Sequence, residues 1–334
     1  MFGGQRRANR TSISDRAGGN VPELQIKKAI RRALPMQIGF YGPSGSGKTL
    51  SALLFASGLI KPNGRIIVVD TERGRASIHA DSPLLMKALP QGYDVVELDQ
   101  PYHPSRFIDA VKLCEKEKYD LTIVDSESDS WDGPGGCFDI AEEDGKGKDG
   151  KSRGLVWNNA KRWNKKYKVH IALSDMHVIS LFKAQEKTKI IDKAKSESGR
   201  QEYVDLGVLP IGEKNAFYPL LVGFSIDPVT HLATLKKGSH ENIIPMWPQP
   251  KLITKQDGEI LRKWNESAKP LEADEQLKKR ATYAADDGLV SYQKFWAELT
   301  QQERKALEAF HQGYKQQAEE ADRLLASREA GSAG

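Results

Sequence analysis

Ile38-Gly39-Phe40-Tyr41-Gly42-Pro43-Ser44-Gly45-Ser46-Gly47-Lys48-Thr49-Leu50 is the stretch on which the reading of this chain turns. Residues 42–49 fit G-x-x-x-x-G-K-[ST], in which glycines let successive backbone N–H groups turn inward around a polyphosphate. A short apolar run, residues 36–41, enters the loop, and Leu50-Ser51-Ala52-Leu53-Leu54-Phe55-Ala56 leaves it with helical spacing. That order of strand, loop and helix is what the chemistry needs, because a helix N-terminus adds partial positive charge to an anion site. Gly42, Pro43, Ser44, Gly45, Ser46, Gly47, Lys48, Thr49 and Leu50 are therefore the expected nucleotide-binding residues. Lys48 would reach the β- and γ-phosphates, and Thr49 would hold Mg²⁺.

Two further acidic strand ends extend the pattern. Arg65-Ile66-Ile67-Val68-Val69-Asp70 is a β-branched run suited to a buried parallel strand, with Thr71 and Glu72 at its end. Tyr119-Asp120-Leu121-Thr122-Ile123-Val124-Asp125-Ser126 repeats the design, and Asp125 is the expected partner of Mg²⁺. Carboxylates at the C-terminal edge of an open α/β sheet stand where ligands bind.

The bulk composition bounds the rest. The 334 residues suggest about two domains, and 39% hydrophobic with 28% charged residues is the balance of a globular protein without a membrane-spanning run. A net charge of +5 is mild, so the placement of positive residues matters more than their total. Cys114 and Cys137 are far apart in sequence, which indicates neither a disulfide framework nor a zinc site, and the N-terminus has no apolar core of a secretory signal. A cytoplasmic location is the expectation.

In chain order, residues 1–20 read as a disordered basic arm, and Leu24, Ile26, Ile30 and Leu34 as the apolar side of an amphipathic helix. Residues 131–154 alternate glycine with charge and read as a long mobile loop. The next strand, residues 177–182, is followed by Lys183, Gln185, Glu186 and Lys187, polar groups placed to sense a γ-phosphate or merely to cap the strand. Residues 219–226 and 231–235 form an expected hairpin around Asp227-Pro228, with Lys236 and Lys237 at its exit. Residues 254–265 read as a closing helix, and residues 275–326 as helical, with Thr300-Gln301-Gln302-Glu303 a capping box at the start of the last helix. The expected domains are an ATPase domain over residues 21–268 and a helical appendage over residues 269–334.

The phosphate loop, Val69-Asp70-Thr71-Glu72 and Ile123-Val124-Asp125-Ser126, in that order, resemble the RecA-like ATPase core, and look most like its phage-encoded members, the Sak-type single-strand annealing and recombination ATPases. The resemblance covers roughly residues 35–265 and implies an α/β fold: a RecA-like P-loop NTPase core with a mostly parallel twisted sheet, plus a small C-terminal helical appendage. It implies an ATPase using ATP and Mg²⁺, with Glu72 as general base and Lys48 and Gln185 completing the catalytic set. His79 takes the place of an adenine-stacking residue. Lys236 and Lys237 resemble lysines that reach into a neighbouring subunit, which implies a homo-oligomer, ring or filament, whose hydrolysis needs assembly.

The loops after two strands correspond to DNA-binding loops, which assigns single-stranded DNA contact to Lys146, Lys148, Lys151, Arg153, Lys187, Lys189, Lys193, Lys195 and Arg200. The function so implied is ATP-driven work on single-stranded DNA in phage recombination, annealing or replication, in the host cytoplasm, with a single-strand-binding protein as a further partner. The alternative is a nucleotide-switched protein-interaction module that recruits a replication or assembly factor without holding DNA. A motor would need a trans-acting arginine, and the sequence singles none out.

Overall fold

The structure, a computed structural model, describes residues 26, 28–147, 150–191, 202–270 and 273–331. The expected basic arm lies outside them, as do Lys148, Lys193, Lys195 and Arg200. By contact the chain divides into a unit spanning Ala33–Lys269 and a second comprising Pro270–Gly334 with the residues up to Arg32.

The larger unit is built on one eight-stranded sheet. Its strands are β1 (Gln37–Gly42), β2 (Ile66–Asp70), β3 (Asp94–Glu97), β4 (Leu121–Asp125), β5 (His177–Ile191), β6 (Glu202–Pro210), β7 (Val222–Ile226) and β8 (Ala233–Gly238). The order is β3-β2-β4-β5-β1-β7-β8, with β6 paired to β5 off this path. All pairings along β3 to β7 are parallel, and only β5–β6 and β7–β8 are antiparallel. Strand β5 therefore lies between the strand that feeds the phosphate loop and the strand that ends in Asp125.

Alternation along the strands supplies two apolar faces. Ile38, Phe40, Ile66, Val68, Ile123 and Ile179 bury one face against α1 (Lys48–Leu59), α2 (Pro83–Ala88) and α7 (Lys255–Glu266). Ile67, Val69, Val124 and Val178 bury the other against α3 (Pro104–Lys116) and α6 (Trp157–Ala172). Helix α7 opens on a capping box, Thr254 with Asp257, so its start is fixed locally.

Helices α1 and α7 meet backbone to backbone. A Cβ at Gly258 would lie 2.0 Å from the Phe55 carbonyl oxygen, and one at Gly58 would lie 1.9 Å from that of Lys255. Gly258→Ala is expected to lower stability by about 3 kcal/mol, the upper end of ordinary overpacking costs, because rigid helix backbone must move. A urea midpoint unchanged from wild type would show that the two helices separate without cost.

Three sequence expectations are corrected here. Residues 28–31 are not helical, and Ile30 and Leu34 stay exposed; the Asn265 side chain bonds both the N–H and the C=O of Leu34, and Pro35 disfavours the helical region for the residue before it. Residues 131–154 are not one long loop. They hold the end of α4 (Asp129–Asp132) and the whole of α5 (Cys137–Asp144), packed through Trp131 stacked on Trp157 at 5.4 Å with Phe138 edge-on to Trp157 at 5.0 Å. The few aromatic residues among the glycines suffice because their partner Trp157 comes from α6. Finally, β5 runs on to Ile191, so the first part of the expected loop at residues 186–200 is strand paired with β6. That hairpin is held by main-chain hydrogen bonds and lacks the apolar alternation that would reveal it.

The second unit contains α8 (Ala273–Asp286), α9 (Leu289–Glu298), α10 (Gln301–Leu307) and α11 (His311–Gly331). Its core joins Leu277, Tyr292, Leu299, Leu307 and Tyr314. The Thr300–Glu303 capping box starts α10 rather than the last helix, because a short 3-10 turn at Glu308–Phe310 intervenes before α11. Among the described residues no helix is long and apolar enough to cross a membrane.

Candidate nucleotide site

Parallel pairing brings the strand ends to one edge. Gly42 stands opposite Lys183, Asp70 opposite Asp125, and Asp125 opposite Leu181. Gly42 ends β1, and the chain turns through Gly45 (φ 79°) and Gly47 (φ 85°) into α1, a left-handed backbone that residues with a Cβ rarely adopt. The loop is open to solvent at Ser44 and Gly45, whereas Ser46 is fully buried with its hydroxyl unpartnered.

Lys48 folds back on the loop, donating to the carbonyl oxygens of Gly42 and Pro43 at 3.0 Å each. Burial lowers its pKa, and the charges of Asp125 and Glu72 oppose that fall. Thr49 Oγ1 donates to Asp125 Oδ2 at 2.6 Å. Burial pushes the Asp125 carboxyl up to about 6; the Thr49 hydrogen bond works against this, and Glu72 adds to it. A cation placed between these oxygens would offset both the burial and the like charge.

The two acids at the end of β2 divide their tasks. Asp70, 1% exposed, accepts from the backbone N–H of Glu72 at 2.6 Å and of Ala76 at 3.1 Å, and so shapes the turn. Glu72 is half-buried, its carboxylate 3.2 Å from Arg75 and close enough to Lys48 and Asp125 to perturb both.

Beside them is a network that sequence reading did not anticipate. Thr71 Oγ1 donates to Asp129 Oδ2 at 2.6 Å and accepts from Ser126 N–H at 2.8 Å, while Lys183 Nζ donates to Asp129 Oδ1 at 2.6 Å. Burial pulls the Lys183 pKa down, but the bond and charge of Asp129 outweigh it and leave it raised. Asp125, Ser126, Glu127, Ser128, Asp129 and Ser130 are all buried, six polar residues in succession. Such a run after an apolar strand was the available signal, since buried polar groups persist only where they are partnered.

Other expected residues fall elsewhere. Gln185 lies two residues beyond Lys183, about 7 Å further along the strand, exposed and paired with Leu209 on the hairpin. His79 ends a 3-10 turn, Arg75–His79, after β2, and among the described residues no hydrogen bond or ring contact joins it to the phosphate loop. The imidazole that does meet the loop is His231, from the turn between β7 and β8, with Nδ1 3.1 Å from the Ser46 carbonyl oxygen.

Lys237 donates to the carbonyl oxygens of Phe217, at 2.8 Å, and Tyr218 within its own chain, whereas Lys236 is exposed. Lys146 pairs with Glu143, Lys151 and Arg153 are exposed, and Lys187 and Lys189 lie on β5.

A phosphate loop with its lysine, a hydroxyl bonded to a buried strand-end acid, and a second acid within electrostatic reach of that lysine define a P-loop nucleotide-binding protein on a mostly parallel sheet. The family described as an AAA domain matches residues 34–204, and the chain belongs to that family. No curated protein matches. Among solved structures, the chain is similar to the RadB recombinase, with 16% identity, a TM-score of 0.34, and coverage of 63% of this chain and 83% of that one. It is also similar to an ATPase from the type III secretion system of pathogenic bacteria, with 12% identity, a TM-score of 0.37, and coverage of 84% and 75%.

Proposed function

We propose that the protein binds ATP with Mg²⁺, hydrolyses it, and couples turnover to single-stranded DNA in recombination, annealing or replication, as phage-encoded ATPases of the Sak type are expected to do. The observation that supports hydrolysis best is the convergence of Lys48, Glu72 and Asp125, each within electrostatic reach of the others at the start of α1. Loop N–H groups and Lys48 bind the phosphates. Thr49 and Asp125 hold Mg²⁺, which when bound stabilises charge on the phosphoryl oxygens.

Among the described residues no cluster of three or more His, Cys, Asp or Glu forms a metal cage, which suits Mg²⁺, an ion held by few protein oxygens and the phosphates themselves. Glu72 orients and deprotonates the attacking water, geometry contributing more than a shifted pKa. Lys183, level with Gly42, is the strand-end group nearest the loop in register and senses the γ-phosphate, with Gln185 two residues further on. Lys236 is the residue left to reach a neighbouring subunit in a ring or filament, since Lys237 is engaged at home.

Phosphate release from ATP by the full chain, with and without an oligothymidylate, tests this reading. Stimulation by the oligonucleotide is the expected result. Turnover indifferent to DNA across a salt series would favour the nucleotide-switched protein module instead.

A further inference from the structure

Helix α6 carries Lys161, Arg162, Lys165, Lys166 and Lys168 and not one aspartate or glutamate in its 16 residues. Lys161, Lys165 and Lys168 share a face, separated along the axis by about 6 and about 4.5 Å. Like charges at these spacings oppose each other, and the helix has no acid of its own to offset them. The three line a cleft of about 350 Å³ whose far wall includes Glu213, Asn215 and Pro219. The one carboxylate in that wall is engaged, Glu213 Oε2 accepting from Asn164 Nδ2 at 2.6 Å. Lys161 and Lys165 are exposed at the mouth. At the inner end Lys168 pairs with Glu127, a buried carboxylate two residues from Asp125 whose backbone N–H donates to Leu181 on β5 at 2.8 Å.

We propose that this cleft grips the sugar-phosphate backbone of single-stranded DNA, and that the Lys168–Glu127 pair carries the strand's presence to residues 125–129 of the nucleotide site. The proposal rests on the DNA reading above and adds where the strand lies. A row of flexible ammonium groups holds phosphates as point charges without reading bases. Val169 and Pro219 are the apolar residues of the cleft's lining, and the aliphatic stems of the lysines supply further apolar surface beneath the ammonium groups. A phosphate that draws Lys168 toward the mouth leaves Glu127 to find another partner, and Glu127 is anchored to the strand that also bears Lys183.

Fluorescence anisotropy with a labelled oligothymidylate over a salt series tests the cleft. Lys161→Glu with Lys165→Glu should weaken binding about tenfold or more, and the loss of two phosphate contacts should lower the salt slope by about 1.4. Should that pair lower the melting temperature, Lys161→Gln with Lys165→Gln removes the same charges at exposed positions and must weaken binding too. Lys168→Met should bring the ratio of DNA-stimulated to unstimulated turnover close to one. Wild-type affinity in both double variants, with binding lost in Lys187→Glu, would overturn the cleft while leaving the DNA reading intact. Displacement of the oligonucleotide by inorganic pyrophosphate at matched ionic strength would mark a small-anion pocket and also overturn it. A wild-type chain that binds no oligonucleotide would bring down both readings.

Discussion

Glu72→Gln is expected to retain ATP binding and to lower turnover roughly 10²- to 10⁴-fold, the usual worth of a positioned general base. The substitution keeps the shape of the side chain and one acceptor oxygen, replaces the other with an NH₂ donor, and removes the charge and the basicity. Two consequences follow from where the carboxylate sits. Its attraction supports the protonated form of Lys48, and its repulsion helps to raise the Asp125 pKa, so the variant should hold Lys48 less firmly protonated and Asp125 more readily ionised. ATP affinity should not suffer, because a negative charge has been taken away from a polyphosphate. Arg75, which pairs with Glu72 at 3.2 Å, is 62% exposed and loses little when released to solvent. Nucleotide binding measured beside single-turnover phosphate release checks the claim. Undiminished turnover would remove Glu72 from the chemistry and leave only the binding half of the site standing.

Lys48→Ala should abolish both hydrolysis and the stabilisation that ATP confers. Loss of one preorganised cationic donor lowers turnover by roughly 10²- to 10³-fold where the ground state still binds. Here the lysine is also a cation within electrostatic reach of both Asp125 and Glu72, so its removal leaves the negative charge of those carboxylates less offset against an incoming polyphosphate. In the wild-type chain, ATP at a hundred times its dissociation constant should stabilise the fold by about 2.7 kcal/mol, a readable rise in melting temperature. In the variant that rise should vanish, and the nucleotide-free melting temperature should fall modestly, because the carbonyl oxygens of buried Gly42 and half-buried Pro43 lose the hydrogen bonds that Lys48 donates. An ATP-dependent shift that survives in Lys48→Ala would mean that nucleotide binds elsewhere.

These two variants act on residues that the sequence displays openly. The same is true of α7, whose Thr254–Asp257 capping box is local, and of the β7–β8 hairpin, whose Asp227 side chain bonds Val229 and Thr230 within the turn. Other parts stayed hidden for a common reason. Whether Lys183 or Gln185 stands at the sheet edge depends on where Gly42 falls in the register of a strand about 140 residues away in sequence, and no local pattern encodes that. Thr71, Asp129 and Lys183 look like ordinary turn and strand-end residues until β2, α4 and β5 are set side by side. The stacked Trp131 and Trp157 turn a glycine-rich stretch into packed structure through a partner outside it.

By itself the sequence determined the phosphate loop, the alternating strands and the acids that end them, because each is a matter of residues adjacent along the chain and of backbone freedom at a few glycines. Only the tertiary structure decided which acids come within electrostatic reach of Lys48, which lysine stands level with the loop, that His231 meets the Ser46 carbonyl, and that the cations of α6 line a cleft leading to Glu127. Those are relations between distant segments, fixed by strand register and by helices packing on opposite faces of one sheet.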